Sequence, residues 1–89
     1  MDFEWDPDKA GINLQRHGVS FYEASEIFGD TLSLSVADPD HSQVECRYLI
    51  FGKTYGEKYL VVSYTERNDK IRIISARKMT PKERRAYER

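Results

Sequence analysis

The second half of the chain carries apolar and polar positions in an order that predicts β-strands. Residues 32–36 alternate strictly between apolar and polar, which predicts a half-buried strand at a sheet edge. Residues 47–53 and 59–66 predict two further strands. Within them the runs 48–51 and 59–62 are apolar at both parities, which is typical of central strands covered on both faces. The β-branched run within residues 71–77 predicts a fourth strand. These four segments predict a mainly antiparallel four-stranded sheet.

The first half of the chain has helical spacing instead. Asp6 and Pro7 form a helix start, with a capping carboxylate followed by proline at the first helical position, where the missing N–H costs nothing. We expect this helix to end at His17, because Gly18 is a natural left-handed cap. One side of the helix is predicted to carry Ala10, Leu14 and His17. Residues 3–5, before the helix, predict either a short strand or an extended lead-in.

Two further helices begin with a hydroxyl residue followed three positions later by glutamate. Ser20 with Glu23, and Thr80 with Glu83, have the capping-box spacing in which side chain and backbone satisfy each other. The first of these helices is predicted to end at Gly29, and the second to run as a basic helix to residue 89. Two helices, the four strands and this last helix predict a single α+β domain over residues 1–89.

Charge is divided unevenly along the chain. Residues 1–65 contain five Lys or Arg against eleven Asp or Glu, a balance of −6, whereas residues 66–89 contain nine against four, a balance of +5. A basic segment of this kind is typical of a phosphate-binding face. Mutual neutralisation of the two parts across the fold explains the same numbers equally well.

Several function classes are disfavoured by what the chain lacks. No apolar run is long enough for a transmembrane helix and the first residues do not resemble a signal peptide, so we expect a cytoplasmic protein. Cys46 is alone and cannot form an internal disulfide, which suits a reducing compartment. One cysteine and two histidines make a structural zinc site improbable, so no cofactor is expected.

Residues 64–77 are the most informative stretch. Asn68 and Asp69 tolerate positive φ and predict a two-residue hairpin turn between the last two strands. This turn predicts three cross-strand pairs: Arg67 with Lys70, Thr65 with Arg72, and Ser63 with Ile74.

On that register the three arginines of the hairpin do not share a face. Arg67 and Arg72 lie together, whereas Glu66 and Arg77 lie on the other side. Either a β-bulge or an Arg77 side chain that curls round the end of the strand would be needed to unite the three arginines. The alternative is an ordinary charged surface. In that case Arg72 pairs with Glu66 or with an acidic residue of the N-terminal half, and Arg77 is a solvated strand end.

Other reactive side chains have ordinary explanations beside functional ones. His17 is a favourable residue for a helix C-terminus, and His41 fits a loop residue better than a metal ligand. Tyr87 on the last helix is either an apolar anchor or a proton donor. Glu83 is explained by its capping box, and Cys46 beside a strand start is expected to be structural.

Taken together, the residues resemble the BrnT family of toxins over essentially the whole chain. The resemblance rests on Trp5-Asp6-Pro7 and on Arg72-Ile73-Ile74-Ser75-Ala76-Arg77 as its most specific motifs, supported by His17-Gly18-Val19-Ser20-Phe21, Asp38-Pro39-Asp40-His41-Ser42, Tyr64-Thr65-Glu66-Arg67 and Tyr87-Glu88. It implies a RelE-like fold and an endoribonuclease that blocks translation. It also implies neutralisation by a BrnA-type antitoxin, with operator DNA contacted only through that antitoxin.

This resemblance gives the hairpin a chemical role. Metal-independent RNA cleavage needs a base for the ribose 2′-OH, cations for the phosphorane and an acid for the leaving oxygen. Guanidinium groups match phosphate oxygens. The predicted assignments are Arg67, Arg72 and Arg77 as the cations, Glu66 as the base with His17 as second choice, and Tyr87 or an arginine as the acid.

A second class of function is a non-catalytic partner-binding module related to the same toxins. Direct DNA repression is weaker, because the sequence has no helix-turn-helix pattern. The unpaired edge of residues 32–36 is the predicted contact for the antitoxin or for a second copy, which leaves a dimer within the complex open.

Overall fold

A computed structural model describes residues 1–38, 40 and 45–88. Within these ranges the chain forms three α-helices, α1 (Pro7–His17), α2 (Phe21–Glu26) and α3 (Pro81–Tyr87), and α2 continues into a 3₁₀ turn at Ile27–Gly29. Its strands are β1 (Asp2–Glu4), β2 (Leu34–Ala37), β3 (Arg47–Lys53), β4 (Tyr59–Arg67) and β5 (Lys70–Lys78). The predicted α+β class is confirmed.

The sheet differs from the prediction at one edge. Its strand order is β1-β5-β4-β3-β2, and β1 runs parallel to β5 while the other neighbours are antiparallel. The four predicted strands form and pair antiparallel as expected, but the predicted number of strands is wrong. The short-strand alternative for residues 3–5 is realised as β1, so in the described residues the sheet is five-stranded and mixed. The apolar and polar pattern of the three residues of β1 is too short to predict this parallel pairing, and the partner residues of β5 lie almost seventy positions away in the chain.

The predicted helix starts are confirmed in atomic detail. The Asp6 carboxylate accepts the backbone N–H of Asp8 at 2.9 Å, and Gly18 ends α1 with a left-handed φ of 68°. Both capping boxes form, so the N-termini of α2 and α3 are satisfied locally. The second helix ends earlier as an α-helix than expected, because residues 27–29 tighten into the 3₁₀ turn. The last helix ends at Tyr87, and residue 89 lies outside the described ranges.

The core lies between the first two helices and one face of the sheet, here named the helix-covered face. Its fully buried side chains come from the α1–α2 connection and α2 on one side, and from β4 and β5 on the other; they include Val19, Phe21, Ile27, Leu60, Val62 and Ile73. On the opposite face, here named the open face, Val61 and Thr65 are also buried. The predicted covering of both faces therefore holds for β4.

The side of α1 predicted to carry Ala10, Leu14 and His17 packs inward only in part: Ala10 lies against the core, whereas His17 is exposed. Leu14 is 51% exposed, whereas Asn13 is buried. The Asn13 amide donates to the backbone oxygens of Val19 and Ala76 at 3.0 and 2.9 Å and accepts the Ala76 N–H at 3.1 Å. β1 pairs only with residues 70–72 of β5, so no neighbouring strand on that side reaches the backbone N–H and C=O of Ala76. The Asn13 amide supplies the hydrogen bonds that these two groups need. A polar residue here holds α1 to β5.

Candidate active site

The hairpin turn has the geometry that its sequence predicts. Asn68 and Asp69 adopt positive φ angles of 53° and 64°, as a type I′ two-residue turn requires. Arg67 pairs with Lys70, and Thr65 with Arg72, as expected. These two pairs place the side chains of Arg67 and Arg72 on the open face.

Farther from the turn, a β-bulge changes the register. Tyr64 pairs with Ile73 but Ser63 pairs with Ser75, so Ile74 is the extra residue and the predicted pairing of Ser63 with Ile74 is wrong. An extra residue reverses which positions of β5 point to which face. Arg77 consequently lies opposite Val61, on the open face. The bulge brings Arg77 to the same face as Arg67 and Arg72.

We name this surface the arginine face: Arg67, Arg72 and Arg77, with the hydroxyl residues Ser63, Thr65 and Ser75 between them. Thr65 is only 2% exposed, and its hydroxyl donates to the Cys46 carbonyl at 2.7 Å. Ser75 is exposed and Ser63 is half-buried. The surface therefore offers guanidinium groups together with the hydroxyl of Ser75 and, in part, that of Ser63, while the Thr65 hydroxyl is already engaged.

Each arginine of this face has a glutamate partner from a different part of the chain. Arg67 contacts Glu45, which lies just before β3, at 2.9 Å. Arg72 contacts Glu4 of β1 at 3.7 Å, and the Glu83 carboxylate of α3 accepts two hydrogen bonds from Arg77 at 2.7 and 2.9 Å. The alternative partner named for Arg72, an acidic residue of the N-terminal half, is thereby confirmed. Arg77 is held by α3 and is not simply a solvated strand end.

The ion pairs shift the titration of their carboxylates. Hydrogen bonding to Arg77 lowers the pKa of Glu83 to about 2, and the same contact raises the pKa of Arg77. The hydrogen bond from Arg67 likewise lowers the pKa of Glu45. At neutral pH both glutamates remain charged and compete with any incoming anion for the guanidinium groups.

Tyr87 closes the other end of α3 against the sheet. Its hydroxyl donates a short hydrogen bond to Asp30, and its ring packs edge-on against Tyr59. Burial, together with the Asp30 hydrogen bond, raises the pKa of Tyr87 to about 12. Burial raises the pKa of Asp30, but hydrogen bonds from Tyr87 and from backbone amides outweigh it, so the net shift is downward. This environment is that of an anchor.

Two of the predicted site residues lie away from the arginine face. Glu66 pairs with Ile71 and therefore points to the opposite side of the hairpin, where it is exposed. His17 is the last residue of α1, in the layer that covers the opposite face of the sheet, and it is exposed. Their roles as a base stay predictions. His41 lies outside the described residues.

Sequence reasoning missed the partners that surround this face. Glu4 and Glu45 were not singled out, and Glu83 was explained by its cap alone. Of the three glutamates, only Glu83 could have been identified from its local sequence, because a glutamate in a capping box can also accept a hydrogen bond from a nearby cation. Among the described residues, no group of three or more His, Cys, Asp or Glu side chains is arranged to hold a metal ion. No helix in the same ranges is long and apolar enough to span a membrane.

Comparison with known proteins decides the family. A model of the ribonuclease toxin BrnT of type II toxin–antitoxin systems matches residues 5–83. The chain belongs to the BrnT family. The fold is also that of the Brucella abortus ribonuclease toxin BrnT, whose crystal structure was solved at 1.1 Å: the TM-score is 0.66 at 19% identity, covering 90% of this chain and 97% of that one. No curated protein sequence matches the chain.

Membership of the BrnT family defines the general activity and the classes of partner. The chain is a BrnT-type ribonuclease toxin of a toxin–antitoxin system. The family implies an RNA substrate and an antitoxin partner. The recognition made from the sequence motifs is confirmed, and the arginine face is the candidate for the active site.

Proposed function

We propose that this toxin is a RelE-like, metal-independent endoribonuclease that inhibits translation by cleaving RNA at the arginine face. The observation that supports the proposal is the bulge at Ile74, which aligns Arg67, Arg72 and Arg77 on one face. Three guanidinium groups supply positive charge for the phosphorane that forms when a ribose 2′-OH attacks its neighbouring phosphate.

Substrate binding at this face is an exchange of anions. Each arginine is occupied by a carboxylate, and the partly exposed side chains are screened by water, so a phosphate can replace the glutamate at small net cost. The Arg72–Glu4 contact, at 3.7 Å, is the longest of the three and the easiest to exchange. We propose that Arg72 makes the first contact with the scissile phosphate.

For the general base we propose Glu4, in preference to the Glu66 and His17 expected from the sequence. Glu4 pairs with Arg72 in the parallel register and so lies on the arginine face, whereas the other two point away from it. A carboxylate released from Arg72 by the phosphate remains close to the attacking hydroxyl. It takes the 2′-OH proton as the new O–P bond forms and the bond to the 5′-oxygen breaks.

The leaving 5′-oxygen needs a proton donor at the same face. The hydroxyl of Tyr87 already donates to Asp30, which is not part of the arginine face. We therefore propose an arginine of the face as the group that stabilises and protonates the leaving oxygen, with Tyr87 as an anchor.

The partners follow from the toxin–antitoxin assignment. We propose a BrnA-type antitoxin encoded beside this chain, operator DNA contacted only through that antitoxin, and a cytoplasmic site of action. Dimerisation is proposed only within the toxin–antitoxin complex.

The decisive experiment incubates the purified chain with RNA in the presence of excess EDTA. We expect cleavage products ending in 2′,3′-cyclic phosphate, as attack by the 2′-OH requires. Intact RNA under every condition, with and without divalent ions, would overturn the proposal. Products with free 3′-OH ends, or cleavage only with added metal, would instead overturn the mechanism.

The second candidate function is a non-catalytic partner-binding module. The observation that favours this function is that every arginine of the face is paired with a carboxylate. A surface with a purely structural role would have the same ion pairs. Expression of the chain alone discriminates the two: an active ribonuclease arrests growth, whereas a binding module does not.

A further inference from the structure

A groove lies beside the arginine face, between the edge strand β2 and helix α3. Its volume is about 520 Å³. Its walls are mainly apolar and are formed by Leu32, Leu34, Phe51, Ala86 and the ring of Tyr87. Leu32 and Leu34 are 72% and 60% exposed, so this apolar surface is in contact with water in the isolated chain.

The strand that borders the groove is unprotected. Within the described ranges no strand pairs with the outer edge of β2, whose sequence Leu34-Ser35-Val36-Ala37 contains no charge and no proline. Charged residues, prolines and bulges are the usual means of blocking such an edge. Exposed apolar surface next to an unpaired edge marks a site for another chain.

The charge at the rim indicates the chemistry of the occupant. Lys82 lines the groove and Arg85 lies next to it on α3, and neither makes an ion pair with another described residue. Two acidic groups nearby are paired with other cations, Glu83 with Arg77 and Glu88 with Arg84. The charge of Asp30 interacts with Lys53. The unneutralised charge at this rim is therefore positive, and it suits carboxylates.

We propose that an extended, acidic-apolar segment of the antitoxin adds to β2 and fills this groove, a proposal that rests on the proposed toxin–antitoxin function. Alternate side chains of an added strand point to one face, so its apolar residues would enter between Leu34 and Ala86. Its carboxylates would meet Lys82 and Arg85. RNA fits less well, because most of the groove wall is apolar and offers few hydrogen-bond partners for bases and phosphates.

The test measures the affinity of this chain for the purified product of the reading frame adjacent to its gene, by isothermal titration calorimetry. We expect Leu34→Lys to weaken binding roughly 30-fold or more, as for a central interface residue. Leu32→Lys, in the turn before β2, should weaken it in the same direction with less risk to folding. Leu14→Lys is the matched control, because Leu14 is a similarly exposed leucine of α1.

A second pair of variants tests the charge argument. Lys82→Glu with Arg85→Glu should weaken binding and remove most of its dependence on salt. Lys9→Glu on α1 is the control. Normal binding by Leu34→Lys and Leu32→Lys, or failure of the wild-type chain to bind this product, would overturn the groove proposal. If these two variants lose RNA binding but still bind the antitoxin, the groove proposal is also overturned, because the groove would then serve RNA.

Failure of the proposed function has a different signature. If the wild-type chain cleaves no RNA but the groove variants lose the antitoxin, the ribonuclease proposal is wrong and the docking site stands. If the wild-type chain cleaves RNA and the groove variants bind the antitoxin normally, the docking site is wrong and the ribonuclease proposal stands.

Discussion

The arginine face and the neighbouring groove lie on the same side of one sheet, yet they are built for opposite interactions. In the first, every guanidinium group is held by a carboxylate, and a ligand must exchange one anion for another. In the second, apolar side chains meet water and the rim cations have no acidic partner among the described residues. Both surfaces carry positive charge, so charge alone does not distinguish them. They differ in whether the cations are already paired with carboxylates.

Helix α3 separates the two regions and takes part in both. Glu83 reaches the arginine face, while Lys82 and Ala86 line the groove. None of its residues is buried, and seven residues are too few for a helix to be stable alone. Its position therefore depends on a few side-chain contacts, and substitutions there test whether the two regions are independent.

The largest effect is expected at the arginine face itself. Arg77→Ala and Arg72→Ala should each reduce RNA cleavage by roughly 10²–10³-fold, since in the proposed mechanism each arginine stabilises the charge of the transition state. Single-turnover cleavage of a labelled RNA measures the effect. Arg16→Ala, which removes an exposed arginine from α1, is the control and should cleave normally.

Full activity and full cellular toxicity in both variants would show that the arginine assignment is wrong. Circular dichroism must show that the variants are folded.

Single-turnover RNA cleavage by Glu4→Gln, Glu66→Gln and His17→Asn identifies the base. We expect only Glu4→Gln to lose activity.

The next effect concerns the support of the arginine face. Asn13→Ala should lower the free energy of unfolding by about 2–3 kcal/mol, because it leaves the backbone groups of Ala76 without partners in a buried position. Urea denaturation measures the change. Gln15→Ala on the exposed side of α1 is the control. An unchanged midpoint for Asn13→Ala would show that water satisfies Ala76, and that α1 does not anchor β5.

A smaller effect is expected where α3 is anchored. Tyr87→Phe removes the hydrogen bond to Asp30 but keeps the ring, so it should cost about 1–2 kcal/mol. If α3 forms one wall of the docking groove, the same variant should also bind the antitoxin more weakly. Tyr22→Phe, at an exposed ring on α2, is the control. A stability loss with unaltered antitoxin affinity would separate the helix from the groove.

The smallest effect is expected at the pair that joins the two regions. The pKa of Glu83 is lowered from its ordinary value of 4.5 to about 2, so the pair stabilises the fold above pH 4.5 and this contribution disappears as pH falls towards 2. Glu83→Gln keeps an oxygen for the cap and should remove this part of the acid dependence. We expect a loss of about 1 kcal/mol or less at neutral pH, since Arg77 is partly exposed.

Denaturation midpoints at pH 7, 4.5 and 2.5 measure that dependence. The substitution also frees Arg77 for phosphate, so RNA binding by Glu83→Gln should be equal to or tighter than that of the wild type. Weaker RNA binding would show that Glu83 assists the substrate and does not compete with it.

Much of the fold was predictable because its signals are local. The cap at Asp6, the two capping boxes and the Asn68-Asp69 turn each follow from the sterics and hydrogen bonds of a few consecutive residues. The arginines of the candidate site could be chosen in the same way. Their carboxylate partners could not, because Glu4 meets Arg72 only through a parallel pairing between distant parts of the chain.

The sequence by itself determined the helix starts, the hairpin turn, the class of the fold and the choice of arginines as candidate phosphate-binding residues. Tertiary structure decided how they are combined. If the side chains of β5 alternated regularly between the two faces of the sheet, Arg77 would lie on the face away from Arg67. The bulge at Ile74 adds one residue and so moves Arg77 to the same face as Arg67. The bulge keeps Ile73 and Ala76 in the core on both sides of the extra residue. It is a consequence of packing, and this packing brings the three arginines to one face.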